Sequence, residues 1–408
     1  MNITLSKDQQ EAFDLIAEWL ATGKKVVSSQ KSSDLLTFAG YAGSGKTTVI
    51  SIIAKSFETA IRFAFCALSG KASSVIRQKL SESGVSVDKH YCGTIHRLIY
   101  SPIENEDGEV IHWMKKDMLE TDIIVIDEAS MVSQDIFNDL ASYGKPILAI
   151  GDHGQLPPID GNFNLMGSPD IKLEKIHRQA ESNPIINLSM RIRETGKIPN
   201  IESSKYVKIL GRSECSNVLS RTFKKNIKPE DVLNNAVLCY TNSTRNRLNS
   251  VIRKMIFGHE SKHPVTNDVV ICLRNSSNRK TPIYNGYRGF LLESAMEVEN
   301  HYYDFKVRFP FEDFETKSKR ICKHQFGFPK TFKAFSELEP FGMYVMHWSE
   351  VGLLFDYGYA LTVHKMQGSQ ADNVILYNEK PAPVNDDTYR RWLYTATTRS
   401  SEYLTILK

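Results

Sequence analysis

The stretch GYAGSGKT, from Gly40 to Thr47, has the residue types and spacing needed to hold a polyphosphate. It follows the apolar run LLTFA and precedes the amphipathic TVISIIAKSF, the strand and helix that a phosphate-binding loop requires on its two sides. Gly40, Gly43 and Gly45 let the N–H groups of the loop, Ser44 included, approach phosphate oxygens. Lys46 adds a point charge toward the β and γ groups. Thr47 can ligate Mg²⁺, and Thr48 follows it into the helix. A second run, IIVIDEAS, ends in Asp127 and Glu128 at the C-terminal edge of a sheet, where ligands bind. Asp127 would hold Mg²⁺ through water and Glu128 would polarise an attacking water. A third, ILAIGDHGQLPPI, puts Gln155 on a loop stiffened by Pro157 and Pro158, where its amide can sense a γ-phosphate. Each polar pair alone reads as a solvated strand end. Beside a phosphate loop they supply the metal ligand, water positioning and charge neutralisation of phosphoryl transfer.

The elements that must position these residues are legible as alternation. Leu35 to Ala39, Arg62 to Leu68, Asp122 to Asp127 and Pro146 to Gly151 are short apolar runs with amphipathic segments between them, which predicts a parallel sheet covered by helices. Between Thr94 and Asp122 two extended runs flank Asp107-Gly108, a tight hairpin turn. Further strands are expected at Ala236 to Tyr240, Gly352 to Phe355, Asn373 to Tyr377 and Tyr403 to Leu407. Residues 266–350, rich in Tyr, Phe and Val with the turn signal Asn285-Gly286, predict a small β-rich insertion. The charged, aromatic segment Phe311 to Lys333 carries no assignable pattern.

The 408 residues, 41% hydrophobic and 24% charged, suffice for two or three domains with buried cores. The apolar runs are strand-sized, so no membrane anchor is expected. The start, MNITLSKDQQEAF, lacks the pattern of a secretion signal, and a cytoplasmic location is expected, that of the host cell if the chain is phage-encoded. The six cysteines are scattered without a CxxC pair, which predicts reduced structural thiols. A net charge of +4 is compatible with a polyanionic partner without requiring one.

Taken in order, with LSKDQQEAF before them, these motifs resemble those of superfamily 1 helicases, in the branch containing RecD and the phage Dda helicase. The resemblance implies that Gln9 reads adenine, that ALSGKAS presents Ser69 and Lys71 to DNA, and that Thr94 and His96 in TIHRL lie at the strand. It also implies that KIHRQAESNPIINLSMRIRETGKIP opens a second motor domain with Arg178 as one arginine finger, and that WLYTATTRS supplies Arg399 as the other. VLCYTNSTRNRLNSVIRK then carries Thr241 and Asn242. YALTVHKMQGSQADNVIL carries Thr362, His364 and Lys365 for nucleic acid, with Gln367 and Gly368 toward the nucleotide. The hairpin corresponds in place to the family's strand-splitting pin, with Trp113 on it as the foremost candidate to stack on a base, although its tip, Asn105 to Glu109, is acidic.

The expected fold is α/β: two RecA-like P-loop NTPase domains, a β-hairpin insertion in the first and a small β-barrel-like insertion in the second. The expected spans are residues 1–176 with the hairpin at about 97–120, residues 177–265 plus 351–408, and the insertion at 266–350. The expected activity is ATP- and Mg²⁺-dependent movement on single-stranded DNA, 5′ to 3′, separating duplexes at junctions in replication, recombination or repair. Partners would be single-stranded and duplex DNA, with replication or recombination proteins, and the active form a monomer. Two rival readings stand beside this one: an RNA helicase of the same superfamily, and a non-catalytic nucleic-acid-binding module on a motor fold.

Overall fold

The structure, a computed structural model, describes residues 5–22, 34–68, 70–104, 110–157, 163–175, 183–200, 203–259, 261–274, 283, 285–299, 301–312, 314–328 and 351–408. The chain forms two compact units, of which the first holds Met1–Glu104, Ile111–Lys197 and the six-residue stretch Arg390–Thr395. The second holds Ile198–Tyr389 and Ala396–Lys408.

The first unit contains strands β1 (Leu35–Gly40), β2 (Phe63–Ala67), β3 (Tyr91–Thr94), β4 (Tyr100–Glu104), β5 (Val110–Lys115), β6 (Ile123–Ile126), β7 (Ile147–Gly151) and β8 (Ile171–Leu173). Its helices are α1 (Lys7–Thr22), α2 (Lys46–Phe57), α3 (Gly70–Glu82), α4 (Ile95–Ile99), α5 (Gln134–Ala141) and α6 (Pro184–Thr195). Six strands form a parallel sheet in the order β3-β2-β6-β7-β1-β8. Because both faces are covered, the strands are continuously apolar and their side chains divide by parity. Leu36, Phe38, Ile123 and Val125 enter one core with Ala12, Ile16 and Trp19 of α1, while Leu35, Ala39, Ile124 and Ile126 enter another with Ile95 and Leu98 of α4. Thr37 is the polar residue within β1, and Asp170 satisfies both its N–H and its hydroxyl at 2.8 and 2.7 Å. Strands β4 and β5 pair as the expected hairpin, whose turn lies outside the described residues.

The second unit contains β9 (Val207–Leu210), β10 (Asn235–Cys239), β11 (Val269–Cys272), β12 (Arg288–Leu291), β13 (Met296–Val298), β14 (Tyr302–Phe309), β15 (Phe314–Cys322), β16 (Phe355–Tyr357), β17 (Ala360–Thr362), β18 (Ala371–Tyr377) and β19 (Ser400–Leu407). Its helices are α7 (Cys215–Thr222), α8 (Pro229–Leu233), α9 (Asn242–Phe257), α10 (Val363–Met366) and α11 (Asp386–Thr397), the last contributing Arg390–Thr395 to the first unit. A parallel sheet runs β17-β10-β18-β19-β9, and an antiparallel one runs β13-β14-β12-β11-β16 with β15 paired to β14. The strand expected at Gly352 to Phe355 begins later, at Phe355. Gly352 takes φ +70°, where a Cβ would collide with the Arg320 carbonyl oxygen, so this segment turns before it pairs. The segment from Phe311 to Lys333 that carried no pattern contains the whole of β15, which pairs with β14 from Phe309↔Phe314 to Tyr302↔Cys322.

Buried charge joins the two sheets of this unit. Arg253 on α9 grips Asp268 in a two-pronged pair of 2.8 and 2.7 Å, and Tyr359 donates to the same carboxylate at 2.7 Å. Arg288 of β12 donates to the carbonyls of Gly358, Leu233 and Asn235. Removing one partner of such a pair leaves an uncompensated buried charge. Asp268→Ala is therefore expected to cost about 3–5 kcal/mol of unfolding free energy in urea titration; a loss under about 1 kcal/mol, the level of an exposed pair, would show that the bridge carries little.

Candidate nucleotide site

The phosphate loop leaves β1 at Gly40 and enters α2 at Lys46. Gly43 and Gly45 take φ of +81° and +85°, backbone that L side chains rarely adopt. A Cβ at Gly40 would lie 2.5 Å from Ser44 Oγ, so the loop closes only over a glycine. Ser44 Oγ is buried with no hydrogen-bond partner among the described residues, the kind of orphan that an incoming polar ligand satisfies. The Lys46 ammonium folds onto the carbonyls of Gly40 at 2.6 Å and Tyr41 at 3.0 Å. Burial pushes its pKa down, while Asp152, Asp127 and Glu128 pull it up.

Gln9 stands against this loop through its amide, which donates to the Ser44 carbonyl at 3.1 Å. Its side-chain oxygen accepts from Ser6 N–H at 3.1 Å, and Ser6 Oγ accepts from Gln9 N–H at 3.4 Å. This is a capping box at the start of α1, so both ends of the amide already serve the protein.

At the end of β6, Asp127 accepts from Glu128 N–H at 2.9 Å, and Glu128 sits at φ +53°. A left-handed glutamate is strained backbone, and such strain gathers at functional sites. Burial pushes the Asp127 carboxyl up against the pull of Glu128 N–H, Lys46 and Lys79. Thr47 and Asp127 border a void of about 20 Å³ whose other walls, Ile50, Phe65, Ile76, Leu80, Val125 and Ile150, are apolar, so that space is packing and not the cation site. Their donor chemistry, a hydroxyl and a carboxylate at the ends of neighbouring elements, is of the hard-oxygen kind that fits Mg²⁺, which takes one or two protein oxygens and completes its shell with phosphate and water.

Past β7, Asp152 is 4% exposed and accepts from Gly154 N–H at 2.9 Å and from the Gln155 amide at 3.4 Å. Six residues absent from the sequence expectations join it there. Tyr394 donates to Asp152 at 2.6 Å and accepts from Ala42 N–H at 3.0 Å. The Arg193 guanidinium stacks 3.4 Å above the Tyr41 ring, with His153 on the same ring at 4.2 Å. Arg391 donates to the carbonyls of His153 at 2.7 Å and Gln155 at 3.2 Å, and Thr395 accepts from Leu156 N–H at 3.0 Å. The sequence held indirect signals for most of them: Tyr394 and Thr395 lie in WLYTATTRS, Arg193 in KIHRQAESNPIINLSMRIRETGKIP, Tyr41 in GYAGSGKT and His153 in ILAIGDHGQLPPI, runs singled out for other residues.

The other expected residues lie on further elements of each unit. In the first unit Thr94 caps α4 through Arg97 N–H, and burial lowers the pKa of the neighbouring His96. Lys71 lies in α3 and Trp113 in β5, but their side chains are outside the described set, as are Ser69 and Arg178 altogether. In the second unit Thr241 caps α9 through Thr244 N–H, with Asn242 beginning the helix. Thr362 precedes α10, which bears His364 and Lys365, and Gln367 and Gly368 follow, the glycine at φ +75°. Arg399 is 3% exposed and reaches the Ser369 carbonyl at 3.3 Å.

Three nucleotide-site elements on adjacent strand ends define a P-loop NTPase built on RecA-like parallel sheets. A family model described as an AAA domain matches residues 17–209, and one described as a UvrD-like helicase C-terminal domain matches residues 357–407. The ATP-dependent RecD2 DNA helicase of Deinococcus radiodurans is 31% identical over 164 residues, covering 37% of this chain and 21% of that protein. The ATP-dependent DNA helicase dda of Enterobacteria phage T4 is 27% identical over 275 residues, covering 62% of this chain and 57% of the relative. Among solved structures, the Pif1 helicase from Bacteroides in complex with ADP-AlF3 and ssDNA superposes with a TM-score of 0.52 at 17% identity, over 99% of this chain and 92% of that one, a likeness of fold. These matches make the chain similar to superfamily 1 helicases of the branch that contains RecD and Dda, and the likeness to a Pif1 helicase is one of fold. The chain spans about half the length, or less, of the first curated relatives it matches.

Lys365 offers a check on the local electrostatics. Burial first, then Arg245, bring its pKa to about 8 from the 10.5 of a solvated lysine, against the pull of Asp356 and Cys272. The unfolded chain therefore holds a proton that the folded chain has lost between those values, and stability should rise with pH across that window. Lys365→Met is expected to add about 1–3 kcal/mol at pH 7 and to flatten that alkaline rise in denaturant titrations. An unchanged alkaline limb would show that Lys365 is solvated.

Proposed function

We propose that the chain is an ATP-dependent DNA helicase that moves 5′ to 3′ on single-stranded DNA and separates duplex DNA. The observation that carries this is the hydrolytic set of the first unit: the phosphate loop, Asp127 with Glu128, and Gln155 follow neighbouring strands of one sheet. A module that only binds nucleic acid has no use for that set. The relatives named as ATP-dependent DNA helicases support the reading, as does the fold shared with a Pif1 helicase solved with ADP-AlF3 and ssDNA.

On this reading Lys46 neutralises the β and γ phosphates, Thr47 and Asp127 hold Mg²⁺, and Glu128 orients and polarises the attacking water. The metal would spread the charge that develops on the transferred group. Gln155 senses the γ-phosphate, and Arg178 and Arg399 complete its surroundings, which ties hydrolysis to the motion of two motor domains, residues 1–176 and residues 177–265 plus 351–408, with residues 266–350 inserted. Thr94, His96, Thr241, Asn242, Thr362, His364 and Lys365, with Ser69, Lys71 and Trp113, are proposed to contact the strand through phosphate, sugar and stacking. Such contacts suit a motor indifferent to sequence.

Lys46→Ala and Glu128→Gln are each expected to lower DNA-stimulated ATP turnover by about 10²-fold or more while leaving the thermal unfolding midpoint in place. Strand separation is then measured on duplexes with a 5′ or a 3′ single-stranded tail, in DNA and in RNA. Unwinding of the 5′-tailed DNA alone is the expected result. Unwinding from the 3′ tail would overturn the polarity, equal action on RNA the substrate class, and undiminished turnover in both variants the enzymatic reading itself.

A further inference from the structure

Tyr394 belongs to the stretch Arg390–Thr395 that packs within the first unit, and its side chain is 1% exposed. Its hydroxyl bonds to the phosphate loop and to the loop after β7 at once, accepting from Ala42 N–H at 3.0 Å and donating to Asp152 Oδ2 at 2.6 Å. A hydroxyl has one proton to give, so the direction is fixed: a carboxylate and an amide N–H leave it no other assignment. Asp152 Oδ1 is taken by Gly154 N–H at 2.9 Å, and Oδ2 is shared between this phenol and the Gln155 amide. The sharing is unequal. The phenol holds the short, charge-assisted bond, and Gln155 is left at 3.4 Å, near the outer limit of a hydrogen bond.

We infer that Tyr394 is a positioning residue for the terminal phosphate: by occupying Asp152 it keeps the Gln155 amide free to reach that phosphate. The inference rests on the ATP-site reading above. Without the hydroxyl, the bond that remains on Asp152 Oδ2 is the one from the Gln155 amide, already at 3.4 Å. The amide would then be drawn onto the carboxylate and away from the nucleotide. Asp152 already acts on this loop, as the foremost charge raising the pKa of Lys46 against burial. Tyr394 therefore matters for a nucleotide with a γ-phosphate and little for one without.

The test compares binding of ADP and of a non-hydrolysable ATP analogue, by calorimetry, in the full chain and in Tyr394→Phe, which keeps the buried ring. The expected outcome is ADP affinity within about twofold of the parent, analogue affinity lower by about tenfold, the equivalent of one charge-assisted hydrogen bond, and ATP turnover lower by a similar factor. Adding Asp152→Asn to Tyr394→Phe, which removes the charge that captures Gln155, should recover part of the analogue affinity. Equal losses for ADP and the analogue would reduce Tyr394 to a packing residue and overturn the inference, as would unchanged binding of both. Lys46→Ala separates the two levels: if it binds the analogue as well as the parent does, the ATP site is not where both proposals put it. Loss of analogue binding in Lys46→Ala together with parent-like Tyr394→Phe sinks the inference alone.

Discussion

Strand β7 lies between β6 and β1, and its parallel pairing with both brings three chain ends to one edge of the sheet. Ala39 pairs with Gly151 and Ile126 with Ala149, so Gly40, Asp127 and Asp152 leave the sheet within a residue or two of one another in register. The placing of Lys46, Asp127, Glu128 and Gln155 depends on that alignment. A slip of one residue would also exchange the two faces of each strand, sending Phe38 and Val125 into the core that now holds Ala39 and Ile126. The apolar packing of both faces thus fixes the register, and the register places the chemistry.

The second unit solves a different problem, that of joining an antiparallel sheet to a parallel one, and it does so with buried charge. Arg253 with Asp268, Arg245 with Asp356 at 2.7 Å, and Arg288 on three carbonyls all lie at or near this junction. Buried pairs contribute less stability than apolar packing would, because desolvation offsets much of their attraction. They do restrict the geometry, since a guanidinium finds its full set of acceptors in one arrangement. Burial holds Arg288 near a pKa of 10, which measures how far its surroundings are from water.

What could be read in advance followed from how local each signal is. The runs at Leu35, Ile123 and Ile147 are apolar on both faces because both faces are covered, and the phosphate loop announces itself through glycines whose φ values are positive. Strand β15 escaped because its sequence, FETKSKRIC, buries Ser318, Ile321 and Cys322 and leaves its charged residues outside, too thin an apolar pattern to count as alternation. For Gln9 the resemblance implied adenine reading, and the capping box that it forms with Ser6 became visible only in the folded chain. Tyr394 could not have been found by spacing. Its partner Asp152 lies 242 residues away, and only the folded chain makes them neighbours.

The site concentrates unfavourable terms that the rest of the fold tolerates. Lys46 is pushed toward its neutral form and Asp127 toward its protonated form, although the two attract each other, so burial outweighs their pairing. Glu128 holds a left-handed backbone and Ser44 Oγ is buried without a partner. None of these stabilises the folded chain, and on the proposed function a polyanion and a divalent cation would complete them. Phosphate oxygens would meet the Ser44 hydroxyl and the Lys46 ammonium, and a cation would restore the charge of Asp127. Local rules fail where the ligand is meant to complete them. The failures discussed here lie on the ends of β1 and β6, beside a β7 loop whose Asp152 carboxylate has both oxygens bonded, by Gly154 N–H and by Tyr394 with Gln155. That contrast separates the residues that await a ligand from those that position it.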